Sequence, residues 1–221
     1  MSHRLLFADA PSAADALTFA RRAARLGDGA VRLKAEGGLL LMSAAPLAPR
    51  SLMESTPTII GMRAVRVDPE LVCDLVVPGS GLAVADDPSA LELPETAVTA
   101  TWAGVSAPRS GWSAVGTLSA ATLAERAQWG IAAVAETAPT DAGEEALHAV
   151  RASIWGAADG PLDDLPLGTA FAAFALGFIG GEESAEVRTN GPWTRVSLAR
   201  GHVLTRGTVR VGLTPVRATG V

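Results

Sequence analysis

One cysteine, one lysine and no tyrosine occur in the 221 residues. A lone cysteine forbids an internal disulfide, and no CxxC pair or Cys/His cluster offers a zinc site. No metal and no cofactor is therefore expected. Cys73 sits in the apolar run "ELVCDLVVP" and reads as a small buried hydrophobe. Lys34 stands alone beside seventeen arginines. GC-rich codon usage accounts for that bias, so the surplus of arginine is not read as a design for phosphate.

Long apolar runs are missing too. The longest uncharged stretch of interest, residues 165–181, has 17 residues, contains Pro166, and is flanked by Asp163-Asp164 and Glu182-Glu183. A spanning helix needs about 20 apolar residues and cationic anchors, so no membrane partner is expected. The start, "MSHRLLFADAP", has too short an apolar run before Asp9 for a secretory signal. The expected compartment is the cytoplasm. Catalytic signatures are absent as well. "GWSAVG" places Val115 where a nucleophile elbow needs glycine, which rules out Ser113 as a hydrolase nucleophile. "VVPGSGLAVADD" lacks the third glycine and the helix of a dinucleotide site. Asp159, Asp163 and Asp164 match no EF-hand spacing and read as a solvated loop.

What is present suits a globular core. Hydrophobic residues make up 48% of the chain, the ordinary globular range, and 221 residues fit one large domain or two small ones with ample core. "HRLLFA" reads as a first strand. The stretch 11–27 reads as a helix, with Ser12 and Asp15 as a capping pair and Gly27 as its stop. "AVRLKA" and "LLLMSA" flank "EGG" as a hairpin, and "TIIGMRAVRV", "LVCDLVV" and "AVTATWAGV" follow as strands. The middle turns helical: "SAATLAERAQWGIAAVAET", with Thr122 and Glu125 as a capping box, then a helix capped by Asp141, then the phenylalanine-rich segment. There Phe171, Phe174 and Phe178 form one stripe and Ala173, Gly177 and Gly181 a second. An all-round apolar helix needs cover from its own chain or from a second copy. The tail returns to strands at "AEVRT", "WTRVSLA" and "HVLTRG"; Asn190-Gly191 signals a turn that Pro192 keeps from being a simple two-residue hairpin. No sequence repeat is visible. The expected fold is α+β, a single domain over 1–221. Its mixed or antiparallel sheet comes from N- and C-terminal strands, and its helical layer mainly from residues 118–181.

Charge divides the same way. Residues 1–67 carry nine basic and five acidic side chains (+4), residues 68–186 three and eighteen (−15), and residues 187–221 six and none (+6), summing to −5. Opposite blocks favour association within or between chains, though each exposed pair contributes only about 0–1 kcal/mol.

Two constellations carry possible chemistry. On the helix after Asp141, Glu144, His148, Arg151 and Trp155 share one stripe. Glu144 would orient His148 as a general base, Arg151 would hold a carboxylate, and Trp155 would wall the site. The plainer alternative is a half-exposed helix face. On the last strand, His202 and Arg206 point the same way. If that face meets the loop "APRSGW", then Arg109, Trp112, His202 and Arg206 would hold an anionic or planar ligand. The plainer alternative is a solvent-facing strand side. The functional expectation is a small-molecule-binding or homo-oligomeric assembly domain, with a homodimer and a small anionic ligand as partners. A cofactor-independent enzyme on a small anionic substrate is the alternative, with His148 or His202 as acid/base and Arg151 or Arg206 as clamp. Nucleic acid is an unlikely partner at net charge −5.

Overall fold

The chain builds two halves of like topology. The computed structural model describes residues 4–51 and 53–207, and His3 lies outside them. In the first half, strand β1 (Arg4–Leu6) leads into helix α1 (Ala10–Ala23), then a meander of β2 (Ala30–Glu36), β3 (Leu39–Leu47) and β4 (Thr58–Arg66). Three more strands complete it: β5 (Cys73–Pro78), β6 (Ala83–Val84) and β7 (Ala90–Glu92). The second half opens with β8 (Ser113–Ser119), α2 (Ala120–Thr137) and α3 (Glu144–Trp155). The short β9 (Ala158–Asp159) and β10 (Leu165–Pro166) precede α4 (Gly168–Ala175). A second meander follows: β11 (Ser184–Asn190), β12 (Trp193–Leu198) and β13 (Gly201–Arg206).

Eight strands form one antiparallel sheet in the order β5-β2-β3-β4-β13-β12-β11-β8. The last strands of the two meanders, β4 and β13, meet at its centre, Gly61 opposite Val203 and Ile59 opposite Thr205. Strand, helix and three-stranded meander thus occur twice about the sheet's middle, although the sequence shows no repeat. The halves differ at the flanks. β8 lies beside β11, whereas β1 leaves the main sheet to pair with β7, and β5 takes the place beside β2.

Turns follow from backbone chemistry. Gly37 and Gly38 close the β2–β3 hairpin with φ of +59° and +80°, a two-residue loop that needs positive φ twice. The β11–β12 connection is also two residues long, since Asn190 pairs with Trp193. Gly191 takes φ +55° and Pro192 supplies the fixed negative φ that follows it in a II′-like turn. Proline at the second central position fits this turn, contrary to the sequence expectation.

The four helices cover one face. On α1 the apolar line Ala13, Ala16, Phe19, Ala20 and Ala23 is buried. The N-cap is Asp9, which accepts from the Ser12 N–H at 2.7 Å, so the Ser12/Asp15 pair is not the cap. Likewise Ser119 caps α2 by accepting from Thr122 N–H at 2.9 Å, in place of a Thr122/Glu125 box. The N-cap of α3 is Gly143, two residues beyond the expected Asp141, and the helix proper begins at Glu144.

The phenylalanine segment is a short core helix. α4 has only eight residues. Gly177, at φ +75°, donates to Phe174 O (3.0 Å) and Phe178 donates to Ala173 O (2.8 Å), a Schellman ending that turns the chain before Phe178. Phe171 and Phe178 are buried, but Phe174 is 40% exposed, so the expected stripe is split. Cover comes from the chain itself: Trp155 stacks on Phe171 at 3.8 Å and Phe19 stacks on Phe178 at 6.2 Å. No helix among the described residues is long and apolar enough to cross a membrane.

Candidate functional site

The face of the sheet without helices would be wet were it not crossed by the connection from β7 to β8. Residues 97–105, expected as a strand, instead form part of this strap, with a single 3₁₀ turn at Thr101–Gly104. Four bonds fix it. Val98 N–H donates to Val76 O on β5 (2.9 Å). The Trp102 indole donates to Asp28 (2.9 Å), and Ala103 O accepts from Arg32 on β2 (2.6 Å). At the far end Ser110 O accepts from the Asn190 amide on β11 (2.8 Å). Trp102 and Trp193 anchor a second apolar cluster with Ala30, Ala45, Ile60 and Leu204.

Between strap and sheet lies a cavity of about 480 Å³. That volume lies in the range of small-molecule sites. Alternation along the strands sets its lining, because every second side chain points away from the helices. Leu39, Leu41, Ile60, Met62 and Leu204 make an apolar floor. Trp102, Val105, Pro108 and Trp112 make the roof. Arg32, Lys34, Arg109 and Arg195 line it together with Glu36. Lys34 pairs with Asp74 (3.6 Å), as Arg32 does, and Arg109 with Glu36 (3.8 Å), so among the described residues Arg195 is the lining cation without an ion pair. Arg32 is held by two bonds to Asp74, both 2.8 Å, and that fork keeps the Asp74 carboxyl below its usual range. Arg195 has a different support: its guanidinium lies 4.7 Å from the Trp112 ring.

The conditional expectation for "APRSGW" concerned this face, and the strap carrying that loop does lie on it. Arg109 and Trp112 line the cavity. His202 and Arg206 share the face but stand beside the cavity, opposite Met62 and Ser197 and opposite Thr58 and Trp193 respectively. His202 is half-buried, its Nδ1 has no bonding partner, and burial, reinforced by Arg195, pushes its pKa below 6.5. The sequence reading missed Arg32, Lys34 and Arg195. The signal was there: "VRLKAE" alternates apolar Val31, Leu33 and Ala35 with charged Arg32, Lys34 and Glu36.

The α3 constellation does not form. Glu144 binds Arg50 (3.3 Å) and makes no bond to His148. His148 binds Glu54 (3.3 Å), whose carboxyl is lowered chiefly by the Arg50 backbone N–H. Trp155 is buried in the core and donates to Gly130 O at 3.2 Å, so it walls no site. Arg151 lies 5.7 Å from its ring and, with His148, borders a cleft of only about 70 Å³. Such a cleft is well below the roughly 300–1,000 Å³ of a small-molecule site. Asp159 is also not in a solvated loop: it is 9% exposed and held by Arg126 at 2.9 and 2.6 Å. Among the described residues no group of three or more His, Cys, Asp or Glu side chains is placed to hold a metal ion.

Comparison with known proteins fits the two-half architecture. Residues 1–104 match a family described as "Domain of unknown function (DUF8010)" and residues 107–210 one described as "Domain of unknown function (DUF8185)". The boundary between them falls inside the strap. No curated protein matches the chain. Among solved structures it is similar to the DNA polymerase III beta subunit of Thermotoga maritima, with 12% identity over 94% of this chain and a TM-score of 0.52. It is also similar to a DnaN sliding clamp of Bartonella birtlesii bound to griselimycin, with 10% identity over 94% of this chain and a TM-score of 0.51. The chain spans 65% of the length of each. What these structures share with it is the fold.

Proposed function

We propose that this is a non-catalytic, cytoplasmic ligand-binding domain whose site is the strap-covered cavity. One observation carries the reading: an apolar floor and roof over a sheet face, with a cationic wall in which Arg195 has no ion-pair partner among the described residues. That combination suits a small molecule with an apolar body and an anionic group, the polar groups fixing orientation. Neither histidine lines the cavity: His148 borders a separate cleft and His202 stands beside it. Isothermal titration of the full chain with octanoate is expected to show saturable binding. Leu41→Trp, which fills the floor, is expected to abolish it while leaving the fold intact. Failure of octanoate and of octyl phosphate alike to bind at millimolar concentration, or full octanoate binding by Leu41→Trp, overturns the reading.

Self-association is a second reading, favoured by the sheet edge. β8 ends the sheet with six of its seven residues exposed and carries neither charge nor proline, so the register shift at Val115 against β11 is the one edge guard it has among the described residues. Val115 is 59% exposed on it. Light scattering is expected to show a dimer that Val115→Lys converts to monomer; a monomeric wild type at high concentration removes this reading. The sliding clamps that share the fold are DNA polymerase components by name. On a chain of net charge −5, duplex DNA is expected to give no anisotropy change at physiological salt.

A further inference from the structure

We propose that Arg188, Arg195 and Arg206 form a receptor for a phosphate monoester at the β12 end of the cavity, so that the ligand is an alkyl or aryl phosphate. The inference rests on the cavity reading and adds the chemistry of the anionic group. Strand register brings the three arginines together. Arg188 on β11 stands directly opposite Arg195 on β12, and Arg206 on β13 stands opposite Trp193, hence diagonal to Arg195. Like charges directly opposite one another destabilise a strand pair. Relief is partial. Glu186 binds Arg188 at 2.6 Å, while among the described residues Arg195 and Arg206 make no ion pair. The Nε atoms of all three arginines, and His202 Nδ1 beside them, are buried with no hydrogen-bond partner.

Buried donors without acceptors cost stability, and more so when charged. They are satisfied when an anion with several oxygens arrives from outside. Charge selects which anion. Three arginines less Glu186 leave +2 with His202 neutral, which a doubly ionised phosphate monoester balances and a carboxylate only halves. Guanidinium forks also match the spacing of phosphate oxygens. Arg195 joins the two parts of the site, because it lines the cavity and rests on its Trp112 wall. A ligand with its apolar body on the floor formed by Ile60 and Leu204 therefore presents its head to the arginines.

The test compares octyl phosphate, octanoate, inorganic phosphate and a short oligothymidylate by isothermal titration at about pH 8, where the monoester is doubly charged. Octyl phosphate is expected to bind the full-length protein about tenfold or more tighter than octanoate, as charge-assisted bonds from two further guanidiniums imply. Arg206→Gln and Arg188→Gln are each expected to narrow that advantage to under about threefold, with unchanged circular dichroism. Arg206→Lys, which keeps the charge but loses the fork, is expected to fall between. Equal affinity for octyl phosphate and octanoate overturns the phosphate assignment and leaves the cavity reading standing. Failure of both to bind overturns the two together. Displacement of octyl phosphate by the oligothymidylate, lost in the same glutamine variants, overturns the small-monoester assignment in favour of a nucleic-acid backbone.

Discussion

His202 illustrates how one strand position sets a pH dependence. Its ring is half-buried between Met62 and Ser197, which carry no charge, and the cation facing it is Arg195 from β12. Burial first, and Arg195 second, hold its pKa below 6.5. The folded state therefore resists taking the proton that the unfolded chain accepts near pH 6.5. Stability is expected to be unaffected by this group above that pH, to fall as pH drops below it, and to stop falling once the folded-state pKa is passed. Urea unfolding of wild type and His202→Gln between about pH 8 and pH 5 checks this, the variant losing that part of the slope. A slope as steep in the variant as in the wild type would assign it to other groups. Gly61 shows a different constraint at the same scale. A methyl placed there runs into Leu176 Cδ1, with Phe178 also in contact. Both neighbours are fully buried, so the Leu176 methyl can make room only by turning within a packed core. Gly61→Ala is expected to lower stability by about 1–3 kcal/mol, measured by denaturant midpoint.

The strap is the element on which the site depends. Trp102 is 4% exposed and its indole N–H bonds Asp28, whose other oxygen accepts from Ala30 N–H. Trp102→Phe keeps most of the apolar burial and loses the bond, an expected cost of about 1–2 kcal/mol. Trp102→Ala also removes the roof of the cavity and is expected to cost about 3–5 kcal/mol. Comparing the two separates packing from hydrogen bonding, and octanoate affinity is expected to fall only in the alanine variant. The same element marks the limit of what local sequence conveys. Period-2 and period-3.6 patterns made ten elements legible: β1 to β5, the three tail strands, α1 and α2. These patterns reflect which face is buried, and a single chain segment carries that information. "AVTATWAGV" reads as a strand because it is rich in β-formers, yet it joins no strand ladder and is held by a single backbone bond to β5, by Trp102 and by side chains far away in sequence. His202 and Arg206 were legible as one face from alternation alone. That Arg195 and Arg32 complete the cation set depends on strand order, β2-β3-β4-β13-β12, which local patterns do not encode. The α3 stripe failed for a related reason. Spacing places Glu144 above His148, but Arg50 and Glu54, from the loop between β3 and β4, compete for both.

At the scale of the molecule, the sheet is continuous through the β4–β13 pair, so neither half has a complete edge without the other. β4 alone would expose an unpaired ladder from Thr58 to Met62, and β13 alone one from His202 to Arg206. The helix layer crosses the same line. Leu176 and Phe178 belong to the second half, yet they cover Gly61 of the first, and Phe178 stacks on Phe19 of α1. Arg22 of α1 likewise donates to Leu176 O at 3.0 Å. The join between the two family matches, near residue 105, thus divides the sequence where the chain merely crosses the sheet, while the core does not divide there. The whole chain is expected to unfold in one calorimetric transition, with equal calorimetric and van't Hoff enthalpies. The separate fragments 1–106 and 107–221 are each expected to self-associate through the exposed β4 or β13 edge. Mixed in equal amounts, they are expected to recover the near-ultraviolet dichroism of the intact protein, because the β4–β13 ladder and the Phe19–Phe178 contact require both. Two resolved transitions, or monomeric and separately folded fragments, would assign each half its own core and reduce the central pairing to a contact between domains.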